Sequence, residues 1–376
     1  MGKGANRLDA ITQQNELLKE QNELLREQNE LLKKSSAQSK EDEREIFIEN
    51  IDRDEMRNGF LVTSNRKKMW NVQLNMLKEF ARICKKHGIR WFVFYGTLLG
   101  AARHKGFVPW DDDIDVMLLR PDFEKFRQVA PREIKYPYFF DAWSDYRLES
   151  EKNISAPNEE NFQFVKLQQE EKLPGWWPFW PLLKMRDMRT SMIQWPERRH
   201  VKQGMWMDIF PFDPAPPFAD NKQQTIYALA IELLFTAALP KVLQKQLNAG
   251  KKTLHEREFL QKLLSSTHYN RTRYFETFMA KNFYESERIA EFRDLILKPR
   301  PNRLNVTYAA KDFEQTVWLP FEKTEVPVPV GYENCLDANY GDWHKIVVNN
   351  IHSLKFSCDI SSEEYFQTAV QLTSQQ

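Results

Sequence analysis

The sequence predicts an α/β (α+β) fold preceded by a helical segment of a different kind. Three observations carry this. Strand-length apolar runs recur between residues 89 and 210, stretches of amphipathic helical spacing separate them, and a seven-residue repeat occupies the N-terminus.

The repeat reads "NELLKEQ", "NELLREQ", "NELLK" over residues 15–33. Leu18, Leu25 and Leu32 share one heptad position, Ile11 extends it backwards, and Asn15, Asn22 and Asn29 each stand three residues earlier. With those leucines at d, every a position is Asn, which favours in-register dimers at a cost in stability. Leu17, Leu24 and Leu31 widen the stripe and favour a higher order. A coiled-coil helix and a homo-oligomer through residues 11–33 are expected; a solvated single helix is the alternative for so short a repeat. The polar run "KKSSAQSKEDERE" (33–45) reads as a linker.

From residue 46 the pattern becomes globular. Residues 64–87 predict an amphipathic helix, with Met69, Val72, Met76, Leu77, Phe80 and Cys84 on one side and Gly88 as its C-terminal cap. "IRWFVFY" (89–95) predicts a strand, and Gly96 with "TLLGAAR" predicts a helix start with Thr97 near the N-cap. "IDVMLL" (114–119) is a second strand, stopped by Pro121, after which "DFEKFRQVA" turns helical. Further strands are expected at 162–167, 182–188 and 205–210, a mostly helical stretch at 222–298, and a hairpin with a short helix in "TVWLPFEKTEVPVPVGYENCLDANYGDW" (316–343).

Composition narrows the function classes. The chain has 376 residues, 41% hydrophobic and 28% charged, which is ordinary for a globular protein. Its 54 Lys and Arg against 53 Asp and Glu leave +1, so no global field favours nucleic acid or an anionic membrane. Cys84, Cys335 and Cys358 match neither a zinc nor a disulfide framework. The N-terminus has no apolar signal-peptide core, and the apolar run 226–243 is broken by Glu232 and Pro240. A reducing, cytoplasmic setting is expected.

The stretch "GFVPWDDDIDVMLL" (106–119) carries the chemistry. Side chains alternate along a strand, so Asp113 and Asp115 project to one side and Ile114, Val116 and Leu118 to the other. Asp111 shares their parity if the strand begins that early, and Asp112 does not. Side-by-side carboxylates repel unless a cation lies between them, and Mg²⁺ takes carboxylate oxygens together with substrate phosphates. An acidic surface turn is the other reading, which the apolar flanks disfavour. Gly96 permits close backbone approach, and Thr97 with the helix start offers N–H groups to a phosphate.

The long run "YGTLLGAARHKGFVPWDDDIDVMLLRPDFEKF", with "KKMWNVQLNMLKEFARICKKHGIRWF" (67–92), "KMRDMRTSMI" (184–193) and "QGMWMDIFPFD" (203–213), resembles the LicD family, relatives of fukutin and fukutin-related protein. The resemblance covers roughly residues 60–345, leaves out the heptads and is vague over 220–300. It implies a nucleotidyltransferase-like mixed sheet flanked by helices, with residues 1–45 a coiled-coil segment and linker, 46–220 the catalytic core, 221–300 a helical insertion and 301–376 a C-terminal segment completing the catalytic domain. The implied activity is metal-dependent transfer of a phospho-alcohol, such as phosphocholine, from a CDP-activated donor to a hydroxyl of a cell-surface or lipid-linked glycan, releasing CMP. Transfer of the nucleotide itself, or an inactive nucleotide- or glycan-binding relative, is the alternative.

By motif position the resemblance puts Gly96 and Thr97 at the donor phosphates and makes Asp113 and Asp115 metal-binding and catalytic, with Asp111 a further ligand. The cation is Mg²⁺, or Mn²⁺ in its place. Asp208 is the candidate for a third carboxylate from a neighbouring strand; an ordinary strand-end acid is the alternative. Arg103 and Lys105, and Lys184 from the later motif, are candidate donor contacts, His104 reads as a solvated loop residue, and Arg186–Asp187 as an internal salt bridge. A glycan acceptor adds peripheral association with the inner face of the membrane. The tail keeps "YGDW" but has only His344 and His352 where a histidine pair is expected, which leaves it without an assigned role. "LPGWWPFWPLL" (173–183) is either a sugar-stacking surface or a rigid cap on the core.

Overall fold

In a computed structural model the chain divides into two units, and everything below concerns the second, Ile46–Gln376. The structure describes residues 44–142, 146–148, 163–165, 182–192, 204–215, 244, 247–248, 254–265, 287–291, 306–348 and 356–357. The heptad segment 11–33 and the tryptophans of 173–183 lie outside the described residues.

A hairpin opens the unit: β1 (Glu55–Arg57) pairs antiparallel with β2 (Phe60–Val62) through Asn58–Gly59. Both turn residues have positive φ, 51° and 78°, the requirement that selects Asn-Gly for so tight a turn. Helix α1 (Ser64–His87) follows, where the apolar spacing places it. The Thr63 hydroxyl accepts from the Arg66 N–H at its start, and Gly88, at φ 60°, ends it in the left-handed region. Ile89 N–H reaches back to the Cys84 carbonyl at 2.9 Å and tucks its side chain into the core. Gly88→Ala should cost about 1 kcal/mol in denaturant unfolding, because only backbone conformation changes there; an unchanged midpoint would show that this cap contributes nothing.

The next elements are β3 (Phe92–Val93), the short helix α2 (Tyr95–Leu99) running into a π-helical turn at Gly100–His104, β4 (Asp115–Leu119), α3 (Arg120–Glu133) and β5 (Tyr138–Ala142). β6 (Tyr146–Leu148) and β7 (Gln163–Val165) form a separate parallel pair. Then come β8 (Leu183–Asp187), β9 (Ser191–Met192), β10 (Met205–Pro214), helix α4 (Leu254–Leu264), β11 (Arg288–Glu291) and β12 (Tyr308–Ala309). The tail supplies the hairpin β13 (Thr316–Phe321) and β14 (Thr324–Pro329), helix α5 (Tyr332–Tyr340) and β15 (Phe356–Ser357), which pairs with β9.

Seven strands make the principal mixed sheet, in the order β12-β11-β10-β4-β3, with β8 added alongside β10 and β5 beyond β8. β10 is its axis. β4 runs parallel to it, β8 flanks its first half antiparallel, and β11 flanks its last residues. Both faces of β10 are buried, which is why "MWMDIFPF" reads as a continuous apolar run. β11 corrects the expectation of helix through 222–298: residues 288–291 belong to this sheet. Among the described residues no helix is long and apolar enough to cross a membrane.

Aromatic side chains fill the core. Phe80 lies 5.1 Å from Trp91 and 4.9 Å from Phe126, joining α1 to α3, while Phe94, Phe212 and Tyr308 join β3 to β10 and β12. Cys84 and Cys335 are buried thiols. Inside this core Arg120 donates to both carboxylate oxygens of Asp213 at 2.7 Å, pinning the start of α3 to β10.

Candidate active site

Pairing register builds the site. Asp115, the first residue of β4, stands opposite Asp208 of β10, and Asp208 stands opposite Lys184 of β8 on its other side. Asp208 N–H donates to the Ile114 carbonyl at 2.9 Å, which extends the pairing one residue back toward Asp113. Asp113, Asp115 and Asp208 each place a carboxylate oxygen within 4.8 Å of the others. Asp111, Asp112 and Asp113 form a second such group, so Asp113 belongs to both.

The strand does not begin as early as Asp111. Residues 111–114 are irregular, and strict alternation starts at Asp115. Strand parity therefore does not reach Asp113, although its carboxylate converges with that of Asp115, and it misses Asp112, which is buried and grouped with its neighbours. Polar residues of α1 hold this irregular stretch through its backbone. Arg66 and the Trp70 indole donate to the Asp111 carbonyl at 2.8 and 3.0 Å, and the buried Gln73 amide donates to the Asp112 carbonyl at 2.7 Å. Buried polar side chains on a core-facing helix are costly unless they find such partners.

The turn before α2 closes the other side. Tyr95 has φ 45°, uncommon for a bulky residue, and the chain reverses there into Gly96. A Cβ on Gly96 would lie 2.1 Å from an Asp111 carboxylate oxygen, so the glycine makes room for that carboxylate. Thr97 is not an N-cap: Phe94 holds that position, and Thr97 lies within the helix. Its buried hydroxyl accepts from the Asp115 N–H at 2.8 Å and fixes the start of β4.

Electrostatics follow from the crowding. Burial, then the charges of Asp115, Asp111, Asp112 and Asp208, pushes the Asp113 carboxyl well above the usual carboxylate range. Lys184 Nζ pairs with Asp208 Oδ1, and the Trp206 indole donates to Asp208 Oδ2 at 3.2 Å. Lys184 also lies 4.7 Å from the Trp206 ring centroid. Oxygen ligands in this number, crowded into a partly desolvated corner, suit a hard divalent cation.

The other candidates spread outward. Arg103 donates to the carbonyls of Trp343 and Lys345 at 2.7 and 3.0 Å, so it ties the tail to the helical turn. Lys105 caps that turn at φ 57° and lines a separate cavity. His104 is not a solvated loop residue: its ring meets Arg103 and Asn58, and burial with the charges of Arg103 and Arg57 pushes it down to about 4. Arg186 and Asp187 do not pair with each other; Arg186 takes Asp141 and Asp187 takes Arg189. Neighbours along a strand face opposite ways, which rules out the internal bridge.

In the tail, α5 packs against α2. α5 ends at Tyr340, and burial together with the charges of Asp115, Asp111 and Asp113 holds its phenol well above the ordinary value.

Comparisons with known proteins agree with this geometry. Residues 88–216 match the model of the LicD/FKTN/FKRP nucleotidyltransferase domain, a span holding the whole acidic cluster, Gly96, Thr97 and Lys184. The lipopolysaccharide cholinephosphotransferase LicD of Haemophilus influenzae is 27% identical over 285 residues, 73% of this chain and 89% of that protein. An uncharacterized protein of Rickettsia typhi is 37% identical over 57 residues, 15% of this chain and 18% of its own. The human ribitol 5-phosphate transferase FKRP is 36% identical over 64 residues, 16% of this chain and 13% of FKRP.

Proposed function

Residues 88–216 of this chain are a nucleotidyltransferase domain of the LicD family, and we propose that the protein moves a phospho-alcohol from a CDP-activated donor to a hydroxyl of a glycan. The observation that carries this reading is the convergence of Asp113, Asp115 and Asp208 within 4.8 Å beside the Gly96–Thr97 turn. The relatives named for choline phosphate and ribitol 5-phosphate transfer point to the same class, a phosphate carrying a small polyol or amino alcohol.

In this reading Asp111, Asp113, Asp115 and Asp208 hold Mg²⁺, which when bound would neutralise phosphate charge and lower the barrier to attack. The chain's own part is alignment. The acceptor oxygen attacks the phosphorus bearing the alcohol, the bond to the CMP oxygen breaks, and CMP leaves with that electron pair. The hydroxyl proton passes to a carboxylate of the cluster or to water. Lys184, fixed on Asp208 and over Trp206, adds a positive charge at the edge of the cluster. Arg103 ties the tail to the helical turn through the carbonyls of Trp343 and Lys345.

The test is a set of CDP-alcohols, CDP-choline and CDP-ribitol among them, labelled in the alcohol and supplied with Mg²⁺ and glycan acceptors. Label should appear on the glycan, with unlabelled CMP in solution. Cytidine on the acceptor and labelled phospho-alcohol in solution would make the protein a nucleotidyltransferase in the strict sense instead.

A further inference from the structure

A cavity of about 470 Å³ lies beside the acidic loop, between the first hairpin, the helical turn and the β13–β14 turn. Its size falls within the range of small-molecule sites. Arg57 and Glu322 form one wall, with guanidinium nitrogens 2.6 and 3.3 Å from the two carboxylate oxygens. Glu322 also accepts from the Phe107 N–H at 3.2 Å, and its own N–H donates to the Lys105 carbonyl at 2.8 Å. A Cβ on Gly106 would fall 2.3 Å from the Glu322 carboxylate, so a glycine is what lets this carboxylate sit against the loop. The wall of the cavity is thus also the brace of the segment that leads into Asp111.

The lining has a definite chemistry. Arg57 is neutralised by Glu322, and Glu55, which also meets Arg57, is matched by Lys67 at 2.9 Å, which leaves Lys105 and Glu49 as one charge of each sign. Nε2 of His104 accepts from Arg103 Nε at 2.9 Å, so the tautomer that fits carries its proton on Nδ1 and donates to Asn58 Oδ1 at 3.0 Å. That arrangement leaves the Asn58 amide nitrogen as a donor at the rim. Pro109 and Phe107 border the cavity but are buried, the Phe107 ring being stacked on Trp70 at 4.7 Å, so the accessible lining is chiefly polar. With no surplus charge the cavity has no preference for a phosphate. Donors and acceptors balanced in this way match the hydroxyls of a sugar ring.

We propose that this cavity is a subsite for a neutral sugar ring of the acceptor, separate from the acidic cluster. The inference rests on the reading of the acceptor as a glycan. A ring seated there would lie beside the segment Lys105–Pro109, a few residues before the aspartates.

Hydrogen exchange of the full chain tests it without donor or divalent cation, so the result does not depend on turnover. The probes are glucose, galactose, N-acetylglucosamine and N-acetylgalactosamine, each near saturation, with CMP as a comparison. At least one sugar should slow exchange at 55–60 and 103–108. Asn58→Gly keeps the turn conformation while removing the amide, and should weaken that sugar about tenfold, the loss of one hydrogen bond. Lys105→Asn, also tolerant of positive φ, serves if the first variant melts early. The proposal is overturned if no sugar protects these segments, if protection falls at 173–183, if CMP alone protects them, or if the folded variants bind like the parent. CMP release failing while sugar binding persists would count against the donor chemistry and not against the cavity.

Discussion

Asp113→Asn and Asp115→Asn should each lower transfer by about a hundred- to a thousandfold or more while leaving the fold intact, since each removes a charge at the point where phosphate charge must be held. Stability should move the other way for Asp113. Its folded carboxyl titrates well above the usual range because burial and four neighbouring aspartates disfavour the charged form. Between the ordinary value and that raised one, the folded protein keeps a proton that the unfolded chain has lost. Stability from this site is therefore full at low pH and falls as pH rises through the window. With divalent ions chelated, the parent should melt lower at pH 8 than at pH 5, and Asp113→Asn should melt higher than the parent at pH 8. Adding Mg²⁺ should raise the parent and leave the variant nearly unmoved. Near-normal turnover of either variant at saturating Mg²⁺ would sink the assignment.

The largest effect on stability is expected far from the chemistry. Arg120 is 2% exposed and Asp213 is fully buried, joined through both carboxylate oxygens. Arg120→Met strands the Asp213 carboxylate in the core, and breaking such a pair costs about 3–5 kcal/mol. Replacing both residues, with Met at 120 and Leu at 213, should recover much of that loss, because the stranded charge disappears with its partner. Urea unfolding of the three proteins decides it. A single variant within about 1 kcal/mol of the parent would mean that water reaches Asp213 or that the pair contributes little.

Much of the fold was legible residue by residue. α1 was readable end to end, because its apolar spacing and Gly88 are local signals that tertiary packing had no reason to override. β4, β8 and β10 were readable as short apolar runs, and β10 only in part, since its last residues carry prolines and Asp213. β11 was not readable. Four residues inside a charged, helix-rich stretch become a strand only because β10 offers an unpaired edge.

The same division runs through the site. The sequence brings Asp113 and Asp115 together by strand alternation, and their carboxylates do converge, but with Asp113 in irregular backbone just ahead of the strand. The Asp208–Asp115 and Asp208–Lys184 pairings, the Asp112 backbone held by Gln73, the brace of Glu322 on Gly106, and the tie of Arg103 to the tail join residues that are distant in the chain. Register between strands, and the docking of a tail helix, are decided by which buried faces match once the whole core has formed. Local spacing thus singled out the aspartates, and the tertiary structure alone determined what each of them touches.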